Sequence, residues 1–195
     1  MIIGIDLDGV IYDSEKEFRV YSELYDMIEL KQNSKGDNRE LKLQSRFKWT
    51  KEQIDDFFKK YLKQIVTEAN LLPGVKRVLK MLKDDGHKLI LITARGRIDH
   101  NMIKITEERF KNEGMDDIFD KSYWQIENKD EICLKEHVDI MIDDSNLKCK
   151  MVTKAGIKAI YLKDAPSYDI DDENIKVLYN WGEIYRYIGE LSKNN

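Results

Sequence analysis

Two aspartates one residue apart, Asp6 and Asp8, and two adjacent ones, Asp143 and Asp144, carry the clearest chemical potential in the chain. Each pair ends an apolar run: Ile2-Ile3-Gly4-Ile5 before the first, Ile140-Met141-Ile142 before the second. Alternation along an extended backbone turns Asp6 and Asp8 to the same side, and Gly9 permits the sharp, positive-φ turn that follows. Thr93 ends a third apolar run that starts at Lys88. In a parallel sheet these three ends meet at one edge, where open α/β folds bind their ligands. Four carboxylates gathered there raise one another's pKa and destabilise the site. A hard divalent cation resolves the repulsion, and oxygen donors on a water-accessible edge suit Mg²⁺. Lys129, opening a predicted helix before the last pair, supplies a further positive charge. Taken singly, each feature has a plainer meaning: Asp-x-Asp-Gly also fits a turn or a calcium-type loop, and Asp143-Asp144 a solvated turn or helix cap. Their joint order along the chain carries the argument.

The elements that must position these residues follow from periodicity. After the first strand, Phe18, Tyr21, Leu24, Tyr25 and Ile28 recur at helical spacing. Residues 31–45 are polar, contain Gly36-Asp37-Asn38, and read as a loop. Thr50 followed by Gln53 is a capping box, and Ile54, Phe57, Phe58, Tyr61, Leu62 and Ile65 form the stripe of the helix it starts. No strand pattern occurs from 14 to 70, so this stretch is expected to be a small helical insert. From Leu71 on, strands alternate with helices: a helix from Val75 stopped by Asp85-Gly86, the Lys88–Thr93 strand, a helix from Met102 to Glu113, and a short strand within 119–126. A short helix from Lys129 to Glu136, the strand ending at Ile142, a helix from Leu147 to Ala155, the strand Lys158–Leu162 and a closing helix through Ile184–Leu191 complete the pattern. Such alternation implies right-handed crossovers and a parallel, doubly wound α/β sheet. The expected division is a core of 1–13 with 71–195 and an insert of 14–70.

Composition narrows the function classes. Hydrophobic residues make up 42% and charged residues 36% of 195 residues, a globular rather than a disordered composition. The 33 basic and 37 acidic residues leave a net charge of −4, which gives no general attraction to nucleic acid or to anionic membranes. Cys133 and Cys149 form neither a metal nor a disulfide pattern and are expected to be free thiols. No apolar run reaches membrane-spanning length, and the strand pattern begins at once, without a signal-peptide pattern. The expected location is the cytoplasm. His87, His100 and His137 show no ligand spacing.

Asp6-Leu7-Asp8-Gly9-Val10, the strand ending in Thr93, Lys129 and Ile142-Asp143-Asp144-Ser145 resemble, in order, the four motifs of the haloacid dehalogenase superfamily of phosphohydrolases. The resemblance spans residues 6–144. Asp-Gly-Val in the first motif, Leu72-Pro73-Gly74 entering the core and Thr93-Ala94-Arg95 in the second resemble its 5′(3′)-deoxyribonucleotidase branch more narrowly.

That resemblance implies a role for each residue. Asp6 would be the nucleophile forming an aspartyl-phosphate, and Asp8 the acid, then base, for the leaving group and the hydrolytic water. Thr93 would hold a phosphoryl oxygen with nearby backbone N–H groups around Ala94, and Arg95 would shape the phosphate side of the pocket. Lys129, preferred to Lys121 and Lys135 for its spacing to Asp143, would bridge nucleophile and phosphate. Mg²⁺ would bind Asp6, the backbone carbonyl of Asp8 and Asp144, with Asp143 acting through water or a hydrogen bond. The insert resembles the family's small cap, which sets substrate choice; its aromatics Phe18, Tyr21, Phe47 and Trp49 are expected mostly to pack between the insert helices, with stacking of Phe18 or Trp49 on a nucleobase as the alternative. The implied function is a Mg²⁺-dependent phosphomonoesterase acting on nucleoside monophosphates. A sugar phosphate or other small phosphometabolite is the first alternative substrate, and a non-catalytic binding protein on the same scaffold is the second. The implied partners are small phosphate esters, not nucleic acid or membrane, and the protein is expected as a monomer or homodimer.

Overall fold

Six parallel strands in the order β3-β2-β1-β4-β5-β6 form the centre of the computed structural model, which describes residues 1–34 and 36–193. They are β1 (Ile2–Ile5), β2 (Lys88–Ile92), β3 (Lys121–Tyr123), β4 (Ile140–Asp143), β5 (Lys158–Leu162) and β6 (Ile175–Leu178). Register pairs Ile5 of β1 with Leu91 of β2 and with Ile142 of β4. Asp6 follows at once and Thr93 and Asp144 two positions past their partners, so the three leave the sheet close together at its carboxyl edge. The expected doubly wound α/β core is borne out.

Both faces of the sheet are covered, which is why its strands are apolar at successive positions. One face packs Ile3, Ile5, Leu91 and Ile142 against α4 (Val75–Asp84), α5 (Asn101–Asn112) and α8 (Trp181–Lys193), through Leu79, Phe110, Trp181 and Ile184. The other packs Ile90, Met141 and Ala159 against α6 (Lys129–Lys135) and α7 (Asn146–Lys154), through Cys133, Cys149 and Val152. Gly4 sits where a Cβ would lie 2.7 Å from the Met141 sulfur, so β1 can pack tightly there only without a side chain. Both cysteines are buried free thiols. Among the described residues no helix is long and apolar enough to cross a membrane.

Between β1 and α4 the regular elements among the described residues are helices: α1 (Ser14–Leu24), continued by a π-helical turn at Tyr25–Glu29, then α2 (Leu43–Phe47) and α3 (Lys51–Glu68). Thr50 and Gln53 form both halves of the capping box at the start of α3. These helices enclose their own core, where the Tyr25 and Phe47 rings lie 5.1 and 4.6 Å from Trp49. Their connections to the sheet domain run antiparallel, Asp13 N–H donating to the Asn70 carbonyl and Leu72 N–H to that of Ile11, both at 2.8 Å. Arg109 of α5 fastens this junction, donating to the Val66 and Ala69 carbonyls.

Two local expectations are corrected, and one strand adds to the pattern. The stretch 31–45 is not loop throughout, since α2 begins at Leu43; five residues give too short a stripe for periodicity to register. The edge strand β6 was not foreseen, because its four residues follow the polar run Asp171-Asp172-Glu173-Asn174. Trp49 cannot stack on a base: it is 5% exposed and donates its indole N–H to Asp26 at 2.8 Å inside the helical layer.

Candidate active site

Past β1 the backbone keeps its sheet bond for one more residue, Asp6 N–H donating to the Ile142 carbonyl at 3.0 Å. It then winds into a single turn, with Ile11 and Tyr12 N–H groups both donating to the Leu7 carbonyl and Gly9 N–H to that of Tyr12. Gly9 adopts φ +70°, and a Cβ there would fall 1.9 Å from Asp144 Oδ2. Only glycine lets this turn lie against the second aspartate pair.

Asp6, Asp143 and Asp144 are buried with a carboxylate oxygen of each within 4.8 Å of the others. Lys129, 2% exposed, sends its ammonium between two of them, 2.8 Å from Asp6 Oδ1 and 2.6 Å from Asp143 Oδ2. Asp143 also accepts the Ser145 N–H at 2.9 Å. Burial pushes the Asp6 carboxyl up to about 6, with Asp143 adding to the rise and Lys129 opposing it. Burial alone would lower Lys129, but Asp143 and Asp6 outweigh it and hold the ammonium above the ordinary lysine range. Asp144 is raised well above the carboxylate range by burial and by Asp143, Glu15 and Asp6; it accepts no hydrogen bond from the described residues. One ammonium facing three buried carboxylates leaves excess negative charge, and all the facing donors are oxygens. The set fits a hard divalent cation such as Mg²⁺, with Asp144 as the acid lacking any other partner.

Asp8 stands apart from this cluster. Arg95 reaches both of its carboxylate oxygens, one at 3.3 Å, and Ser14 Oγ donates at 2.6 Å. Burial alone would raise Asp8; the Arg95 charge and hydrogen bonds, helped by Ser14, hold it below the usual range instead. Arg95 is itself fixed by Thr106 Oγ1 at 3.0 Å, and its N–H donates to Thr93 Oγ1 at 3.1 Å. Thr93 is 1% exposed at the end of β2. The sequence-identified acids, Thr93, Ala94, Arg95 and Lys129 thus converge on one sheet edge, with Arg95 turned to Asp8. The rival lysines lie elsewhere, Lys121 paired with Glu136 at 2.5 Å and Lys135 over the Tyr123 ring. His87 sits by the Met1 amine and His100 by Gln125, away from the acids.

Two cavities flank the cluster. One of about 160 Å³ is lined by Asp8, Ala94 and Arg95 and by the apolar side chains of Phe18, Leu62, Ile98 and Met102. The other, about 520 Å³, borders Gly9, Glu15, Asp144, Asp164 and Trp181. Ser14, Glu15 and Arg19 on the inner face of α1 were missed by sequence reasoning. Their signal was only that α1 begins eight residues after Asp6, so its first turns must overhang the acids.

A family model described as haloacid dehalogenase-like hydrolase matches residues 1–143. A nucleotidase of Clostridium acetobutylicum is 25% identical over 140 residues, covering 72% of this chain and 70% of that protein. Among solved structures, a haloacid dehalogenase-like family hydrolase from Streptococcus pneumoniae superposes with TM-score 0.71 at 19% identity, covering 96% of this chain and 97% of its own. A protein described as a predicted phosphoglycolate phosphatase from Haemophilus somnus gives TM-score 0.62 at 16% identity with the same coverage. At these identities the structural matches speak to the fold.

Proposed function

We propose a Mg²⁺-dependent phosphomonoesterase function for this chain, which belongs to the haloacid dehalogenase-like hydrolases, with nucleoside monophosphates as substrates. The observation that carries the reading is the division of labour between two carboxylates on one turn. Asp6 is bound to a buried ammonium, and Asp8 to a guanidinium and a hydroxyl.

In this reading Asp6 Oδ attacks phosphorus and the ester oxygen leaves. Lys129 offsets charge on Asp6 and on the phosphoryl oxygens, and Thr93 with the following backbone N–H groups holds one of those oxygens. Asp8 gives a proton to the leaving oxygen and later takes one from the water that cleaves the aspartyl-phosphate. Arg95 keeps Asp8 ionised in the free protein, so protonation requires the arriving phosphoryl dianion to draw the guanidinium toward itself. Asp6, Asp144 and the Asp8 carbonyl would hold Mg²⁺, with Asp143 supporting. The cation would supply charge stabilisation to the phosphoryl group.

The leaving group lies next to Asp8, and the cavity there is bounded by Phe18, Leu62, Ile98 and Met102. In a nucleotide the sugar that carries the leaving oxygen would lie beside Asp8 and Arg95, whereas a sugar phosphate would put further hydroxyls against the apolar side chains without partners, at a cost of about 1–3 kcal/mol each. A base has a π-face that suits them. The volume of about 160 Å³ is near that of an engineered cavity that holds a single benzene ring, which favours a one-ring pyrimidine. Residues 14–70, which bring Phe18 and Leu62 over the acids, would act as the cap. The resemblance of the chain to a nucleotidase supports the same substrate class.

A phosphate-release panel with Mg²⁺ tests this. Pyrimidine nucleoside monophosphates are expected to give the highest kcat/KM, and Phe18→Ala to raise their KM roughly tenfold through lost stacking. Sugar phosphates turning over faster than every nucleotide, with KM unmoved by Phe18→Ala, would overturn the substrate assignment.

A further inference from the structure

Arg19 lies on α1 one turn beyond Glu15, and its side chain is 15% exposed. Nη1 is paired with Asp164 in the loop after β5. Nε and Nη2 are buried and have no hydrogen-bond partner among the described residues. In a guanidinium these two N–H groups point the same way and form the side-on fork that takes two oxygens of a phosphate or carboxylate. Burying a charged donor unpaired is costly, so a pair of them on one cation points to an anionic acceptor. The neighbouring acids are already engaged. Glu15 is turned toward Arg46 at 3.4 Å, and Asp8 is held by Arg95 and Ser14.

The helix that carries Arg19 borders both cavities of the site, through Phe18 and Glu15, while Arg19 itself lines neither. Ser14, in the first turn of the same helix, donates to Asp8, and Phe18 lines the cavity beside Asp8. Asp164 and Glu15 line the cavity on the Asp144 side. Arg19 follows Ser14 by five residues, roughly 7–8 Å of helix rise.

We propose that Arg19 is the oxyanion receptor of the cap, its Nε–Nη2 edge gripping an anionic group of the substrate while Asp164 steadies the guanidinium. The inference rests on the phosphomonoesterase reading. The oxyanion is either the transferring phosphoryl group or a second acidic group on the leaving part, and the experiment separates them.

Arg19→Lys keeps the charge and loses the fork; Arg19→Met loses both. Each would be compared with the wild type by calorimetric binding of inorganic phosphate in Mg²⁺, and by KM for a nucleoside monophosphate, a nucleoside bisphosphate and a phosphocarboxylate. Capture of the phosphoryl group predicts phosphate binding weakened roughly 10- to 100-fold in both variants, with KM raised for every ester. Capture of a second acid predicts unchanged phosphate binding and a raised KM only for the bisphosphate or the phosphocarboxylate. Phosphate binding and all KM values within about twofold of wild type, in variants whose near-ultraviolet dichroism is native, would overturn the proposal and leave Arg19 as a structural tie to Asp164. A wild type that binds phosphate but hydrolyses no ester would refute the phosphomonoesterase reading alone, and the calorimetric arm would still decide the role of Arg19.

Discussion

Asp6→Asn is expected to lower phosphate-ester hydrolysis by at least about a thousand-fold, with KM little changed, because the amide cannot form the acyl phosphate. The same substitution carries a second, opposite effect on stability. In the metal-free protein burial raises the Asp6 pKa from 3.8 to about 6. The folded state therefore binds this proton more tightly than the unfolded one, and stability is lost as pH rises from about 4 to about 6 and stays lost above that. The shift corresponds to a penalty on the order of 2–3 kcal/mol at neutral pH, which the variant escapes while losing part of the contact to Lys129. Metal-free Asp6→Asn should thus melt no lower than the wild type at pH 8 and lose its relative advantage at pH 4. Thermal melts at the two pH values, beside steady-state rates with Mg²⁺, check both halves. Hydrolysis that survives the substitution would refute the nucleophile assignment. A variant that melts well below wild type at pH 8 would show that the carboxylate stabilises the fold rather than straining it.

Lys129→Met should be the most destabilising single change in the site. It removes the one ammonium between Asp6 and Asp143 and leaves three mutually close, buried carboxylates without a counter-charge. Stripping one partner from a buried ion pair costs about 3–5 kcal/mol, a large share of a domain's total stability. Two treatments should return part of the loss: Mg²⁺, which would neutralise the same carboxylates, and a pH near 5, which would protonate the raised ones. Urea midpoints with and without Mg²⁺ measure this. Turnover should fall about 100- to 1,000-fold even in folded protein, because a preorganised charge facing the phosphoryl oxygens is gone. A variant as stable as wild type in metal-free buffer would mean the acids tolerate one another and would remove the electrostatic case for a cation.

The chemistry was legible in the sequence because it sits at strand ends. Ile2–Ile5, Lys88–Ile92 and Ile140–Met141-Ile142 announce themselves by unbroken apolarity, and parallel pairing then forces Asp6, Thr93 and Asp144 to one edge. Lys129 was found by spacing alone, since the two contacts that define it reach back to Asp6 and forward to Asp143. What stayed hidden depends on side chains meeting across long separations. Arg95 reads as a phosphate-side residue, and only the fold brings it to Asp8, 87 positions away. Trp49 reads as a candidate stacking residue, and only packing against Phe47 and a hydrogen bond to Asp26 show it to be core. Arg19 is one of many surface-like arginines in sequence; its significance is the unpaired edge it buries.

In the proposed reaction the phosphoryl group passes through Asp6. Mixing the enzyme with Mg²⁺ and a turned-over nucleoside monophosphate, quenching in acid, and reducing with borohydride converts an aspartyl-phosphate to homoserine, which peptide mass mapping locates. The predicted result is homoserine at position 6 alone, and none in Asp6→Asn. Steady turnover with no modified residue, or modification at Asp8, would contradict it.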